Sequence, residues 1–168
     1  MITTGTGSGG RSAGLPMAAA ALTAAASTST ILGLPAVIPL IVEAFRVSHA
    51  EAGFMVTALW VPHAVSQLVG GWAATAGSPR RLLCWALAAL AMALGLTLLV
   101  PTYGALVGAR ALAGLATGAS FTLCIVYAAA HAAPARQRAT QAFVGAMSYV
   151  GCSVVYAAIA LTEGRAGW

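Results

Sequence analysis

Between Arg81 and Arg110 the chain reads LLCWALAALAMALGLTLLVPTYGALVGA, 28 residues (82–109) without a formal charge. About 20 apolar residues, rising ~1.5 Å each, cross the ~30 Å hydrocarbon core of a bilayer. The same length recurs on either side. Uncharged intervals of 31, 28, 25 and 24 residues separate Arg11 from Glu43, Glu51 from Arg80, Arg110 from Arg136 and Arg138 from Glu163. Eight arginines and three glutamates, with no lysine or aspartate, are the whole charge inventory of 168 residues. At 7% charged and 60% hydrophobic, against roughly 25% charged for a soluble domain, the chain has too few ions to cover a water-facing surface. The expected fold class is an all-α integral membrane protein of about five transmembrane helices, with the lipid bilayer as its first partner.

The expected spans are 15–42, 53–76, 82–100, 103–130 and 139–161. Residues 1–14, rich in Gly, Ser and Thr, read as a disordered cytoplasmic tail, and 162–168 as a short outer tail. Pro35 and Pro39 predict a kink in the outer part of the first span. Glu43–Glu51 and His131–Arg138 read as polar connections, and Gly77-Ser78-Pro79 as a turn into Arg80-Arg81. With the N-terminus inside, the inner segments hold Arg11, Arg80, Arg81, Arg136 and Arg138. The outer ones hold Arg46, Arg165 and all three glutamates, so five arginines against two set the N-terminus inside the cytoplasmic membrane. The net charge of +5 is thus explained by topology, and no nucleic acid is implied.

Arg110 falls inside the fourth span. A charge there is costly and marks either a functional group facing the bundle or a side chain snorkelling to the interface. Gly114 and Gly118 follow it at four-residue intervals, a face on which helices approach closely. His63 and Gln67 share a face of the second span and are candidates for a transport cavity. The Ser27–Thr30 run on the first span has two open readings, cavity lining or bonding to its own backbone and to neighbouring helices. Tyr149 and Tyr156 share a face of the fifth span. Cys84, Cys124 and Cys152 read as small packing residues. Catalysis lacks a constellation: Ser120 and His63 are the tempting pair, but no Gly-x-Ser-x-Gly frame surrounds Ser120. No metal or cofactor is expected, because the histidines miss ligand spacing and the glutamates lie outside the spans.

Arg110-Ala-Leu-Ala-Gly114-Leu-Ala-Thr-Gly118 resembles the RxxxGxxxG motif of the fourth helix in the major facilitator superfamily. Phe45–Gly53 is similar to the family's outer loop between helices one and two. Gly70, Gly77, Arg80 and Arg81 resemble its inner signature between helices two and three, where they would form a cytoplasmic loop gate. Ala74 and Thr75 stand where that signature carries an Asp-Arg pair, which implies a weaker or differently built latch. Ala133–Arg138 resembles the loop between helices four and five, and Gly167-Trp168 the start of helix six. Drug antiporters of the family carry a glycine-proline pair late in helix five; Val155-Tyr156 occupies that position, which disfavours drug efflux.

The resemblance implies the N-terminal portion of a secondary transporter for an unknown small solute, not an enzyme. It also implies two six-helix bundles. The five spans are therefore expected to belong to a truncated or fragmentary chain, incompetent alone or completed by a second half-transporter polypeptide. The rival from another class is a non-transporting scaffold subunit of a larger membrane complex.

Overall fold

The computed structural model describes residues 14–166, and side chains through Thr162. Of the tail expected at 1–14, residues 1–13 lie outside the described residues and Gly14 opens the first helix; the helix-six start expected at Gly167-Trp168 also lies outside them. Six α-helices follow one another: α1 (Gly14–Leu32), α2 (Ile38–Phe45), α3 (His49–Ala76), α4 (Pro79–Leu99), α5 (Tyr103–His131) and α6 (Gln137–Ala166). Short 3-10 turns, Leu34–Val37 and Pro134–Arg136, precede α2 and α6. Taken together, α1 and α2 form one span, so among the described residues five segments are long and apolar enough to cross a membrane. The protein is an all-α, multi-pass membrane protein.

The boundaries shift at the connections. Glu43 is helical, within α2, and Glu51 lies in the first turn of α3, so the connection expected over Glu43–Glu51 shrinks to the residues around Arg46. Arg46 ends α2 in the left-handed conformation at φ 51°. A capping box replaces the expected loop. The Ser48 hydroxyl accepts from the Glu51 amide at 3.2 Å, while the Glu51 carboxylate accepts from the Ser48 amide at 2.7 Å. Two amides that would otherwise end α3 unpaired are thereby satisfied. Ser48→Ala is expected to lower the unfolding free energy in detergent by about 1 kcal/mol, read from the denaturation midpoint. Residues 162–166, expected as a tail, continue α6. Arg80 and Arg81 lie in the first turn of α4, one and two residues after Pro79, rather than in a loop. The kinked first span takes the form of a break at Gly33. Pro35 lies in the 3-10 turn and Pro39 in the first turn of α2, where a missing amide costs nothing.

At the centre of the bundle is α5. Half of its most apolar stretch is buried inside the protein, against 17–28% for the other four spans. It packs on α3, α4, α1 and α6, whereas α3 and α4, neighbours in sequence, barely touch. Small residues make this possible. A Cβ on Gly114 would overlap the Leu59 carbonyl oxygen and lie 3.1 Å from its carbonyl carbon. One on Gly118 would overlap Ser66 Oγ and the His63 carbonyl oxygen. Backbone therefore meets backbone along α3 and α5, where dispersion and polar contact hold helices that lipid alone would not drive together. A second close pair joins α1 and α6, where a Cβ on Gly151 would lie 2.6 Å from the Ala25 Cβ. The outer surface is apolar, with Leu68, Leu98 and Leu99 all more than three-quarters exposed. In water such a surface would aggregate; against acyl chains it costs nothing.

Candidate functional site: a cavity between α1, α3, α5 and α6

Buried polar side chains concentrate at mid-bundle. Ser27, His63, Thr117 and Ser120 are each at most 5% exposed. His63 is the fifteenth of the 28 residues of α3, hence near mid-span. Two interhelical bonds form here. Ser27 Oγ and Ser120 Oγ lie 2.8 Å apart, joining α1 to α5. His63 Nδ1 and Thr117 Oγ1 lie 3.1 Å apart, joining α3 to α5. Gln67, one turn beyond His63 on α3, brings its amide nitrogen to 2.8 Å from His63 Nε2. The Trp60 ring meets the imidazole edge-on, with centroids 5.6 Å apart.

Beside this chain of bonds lies a cavity of about 420 Å³, within the range of small-molecule sites. Thr28, Ile31 and Leu32 of α1, Trp60, His63 and Gln67 of α3, and Phe121 of α5 line it, together with Gly145, Ser148 and Tyr149 of α6. Four of the five spans thus wall one space, and α4 stands outside it.

The sequence-predicted residues divide between roles. His63 and Gln67 do share the cavity wall. Arg110 is half-buried and is not among the lining residues. Its Nε is enclosed and has no hydrogen-bond partner among the described residues. Gly114 and Gly118 lie at the α3–α5 crossing. Gly70 lies at the same interface, its hypothetical Cβ 3.3 Å from the Ala119 Cα, so its surroundings are a helix contact and not a loop. Gly77 caps the end of α3, and a Cβ there would lie 3.4 Å from Leu82. Both readings of the Ser27–Thr30 run are realised by different members. Thr28 lines the cavity, Ser27 bonds across to α5, and Ser29 and Thr30 donate to their own helix at Ala25 and Ala26. The pairing weighed for catalysis is not made: His63 bonds Thr117, and Ser120 bonds Ser27. Of the two α6 tyrosines, Tyr149 lines the cavity and Tyr156 donates to the Leu32 carbonyl at the end of α1.

Sequence reading missed Thr117 and Gly151. Thr117 lies inside the quoted glycine motif, one residue before Gly118 and seven positions after Arg110. Its neutral hydroxyl gave no signal in an Ala-rich span. Gly151 stands one residue before Cys152, and four residues before Val155, whose side chain packs against Gly33.

Residues 16–168 match the family model of the Major Facilitator Superfamily. The chain belongs to that superfamily. Neither a curated protein nor a solved structure matches it. Membership makes the chain that of a membrane transporter in general terms, in keeping with the five membrane-length helices among the described residues.

Proposed function

We propose that the chain provides one wall of a secondary transporter's solute pathway in the cytoplasmic membrane, with its N-terminus inside. The observation that carries this reading is the convergence of Thr28, His63, Gln67, Ser148 and Tyr149 on one mid-span cavity in an otherwise apolar bundle. Polar groups at that depth are expensive unless they meet one another or a solute. Alternating access requires a second bundle to rock against this one. The cavity side of α1, α3 and α6 is where such a half-transporter closes the pathway. Gly114 and Gly118 hold α3 against α5, and Gly70 extends that contact inward. Arg80 and Arg81 fit the inner surface for a physical reason. Cations in a helix's first turn oppose its dipole by a few tenths of a kcal/mol, and anionic inner-leaflet lipid offsets that cost.

Site-directed labelling tests this without knowledge of the solute. With Cys84, Cys124 and Cys152 replaced by alanine, Gln67→Cys is expected to react with membrane-impermeant thiol reagents from either face of oriented vesicles. Arg46→Cys should react from the outside alone and Arg81→Cys from the inside alone. A Gln67→Cys site closed to both faces would instead favour a scaffold subunit.

A further inference from the structure

The direction of each hydrogen bond around His63 follows from proton counting. The Thr117 hydroxyl donates its single proton to the Gly114 carbonyl at 3.0 Å, which leaves its oxygen to accept from His63 Nδ1–H at 3.1 Å. In the neutral ring Nε2 is then an acceptor, and the Gln67 amide nitrogen at 2.8 Å is its donor. Gln67 Oε1 is left for the cavity. A proton added at Nε2 turns it into a donor. The Gln67 amide must then rotate by half a turn, giving Oε1 to the ring and its N–H groups to the cavity. The wall changes from a neutral, accepting surface to a cationic, donating one.

No carboxylate is among the lining residues to balance that charge. The groups around His63 are few. On α3 the nearest formal charge is Glu51, twelve residues and ~18 Å of helix away. On α5 it is Arg110, ~10 Å along the helix from Thr117, with Cys124 one turn beyond Ser120. Glu43 stands near the far end of α2, Arg80 and Arg81 at the start of α4, and Cys152 on α6. Along the cavity, α6 offers the Tyr149 phenol, and α1 brings no ionisable group. A bound anion supplies the counter-charge that the lining itself lacks for the imidazolium. Ile31, Leu32, Trp60 and Phe121 supply an apolar and aromatic lining for the rest of such a molecule.

We propose that the cavity takes up a small organic monoanion together with one proton held on His63 Nε2, with Gln67 rotating its amide to donate to the anion. This rests on the cavity being the solute pathway. Proton and anion then bind cooperatively, each raising the affinity for the other.

Trp60, edge-on to His63, is the reporter. The full chain in lipid nanodiscs, with Trp72, Trp85 and Trp168 replaced by phenylalanine, is titrated with benzoate, benzylamine and benzyl alcohol between about pH 6 and pH 8.5, where benzoate stays ionised. Trp60 emission is expected to respond to benzoate. The affinity should fall about tenfold per pH unit above the titration of His63, with uptake of one proton per benzoate bound. His63→Gln should abolish the pH dependence. Gln67→Leu should weaken benzoate at least tenfold while Trp60 emission still follows the His63 titration. Benzylamine binding in preference, or benzoate binding flat with pH, would overturn the anion–proton assignment and leave the cavity a solute site. A Trp60 signal indifferent to all three probes would overturn both readings.

Discussion

Gly118→Val is expected to abolish the monodisperse, folded protein in detergent. A Cβ at this position already overlaps Ser66 Oγ and the His63 carbonyl oxygen, and lies 2.9 Å from the His63 carbonyl carbon. Two of those atoms are backbone, which cannot rotate aside as a side chain would. The helices must part, and three things fail together: the α3–α5 contact, the His63–Thr117 bond and the shape of the cavity. Overpacking in a soluble core costs about 1–3 kcal/mol, and separating two backbones across a bundle belongs at or above the top of that range. The internal control is Gly108→Val on the same helix. Nothing lies within 4 Å of a Cβ there, so elution profile and thermal midpoint should match the unsubstituted chain. Size-exclusion chromatography with thermal denaturation distinguishes the two. If Gly118→Val elutes and melts like Gly108→Val, α3 and α5 do not meet as described.

Arg110→Leu is expected to separate stability from function. The Arg110 Nε–H is enclosed without a partner, and a buried donor in that state costs about 1–3 kcal/mol. Leucine keeps part of the apolar stem and removes the orphan donor and the charge, so the unfolding free energy in detergent should rise by about that amount. Function should move the other way. In the cysteine-free Gln67→Cys background, Arg110→Leu should change the ratio of outside to inside labelling by more than tenfold. Arg110 lies one turn before the Gly114 contact, on the glycine-bearing face of α5, where its loss alters how the first half of α5 meets α3. A variant with unchanged midpoint and unchanged labelling would mark Arg110 as a snorkelling side chain. Lysine should restore the labelling ratio at least in part, because it returns the charge without the planar guanidinium.

Five spans, their order and their approximate ends were legible because the solvent writes them: all the formal charges but Arg110 fall near span ends, where they reach water or headgroups, so the uncharged intervals approximate the bilayer. The ends themselves were less legible. Ser48 and Glu51 looked like loop residues because they are polar, yet their polarity caps α3. Likewise Arg80 and Arg81, placed in a loop by their charge, extend α4 because Pro79 suits a helix's first turn. At the candidate site, His63 and Gln67 were visible as a four-residue pair on one face, and Gly114 and Gly118 as a close-packing stripe. Thr117, Ser120 and Tyr149 were not resolved into roles, since a hydroxyl in an apolar helix bonds its own backbone as readily as a neighbour.

Charge spacing by itself determined that this chain lives in lipid, since no other solvent tolerates those intervals, and its motif order determined the superfamily. Only the tertiary structure decided which polar residues meet. Partners such as Ser27 and Ser120, or His63 and Thr117, lie 93 and 54 residues apart, and no local pattern encodes the rotation of one helix about another. That rotation is set where glycines let backbones touch, and it turns scattered hydroxyls, one imidazole and one amide into the wall of a single cavity.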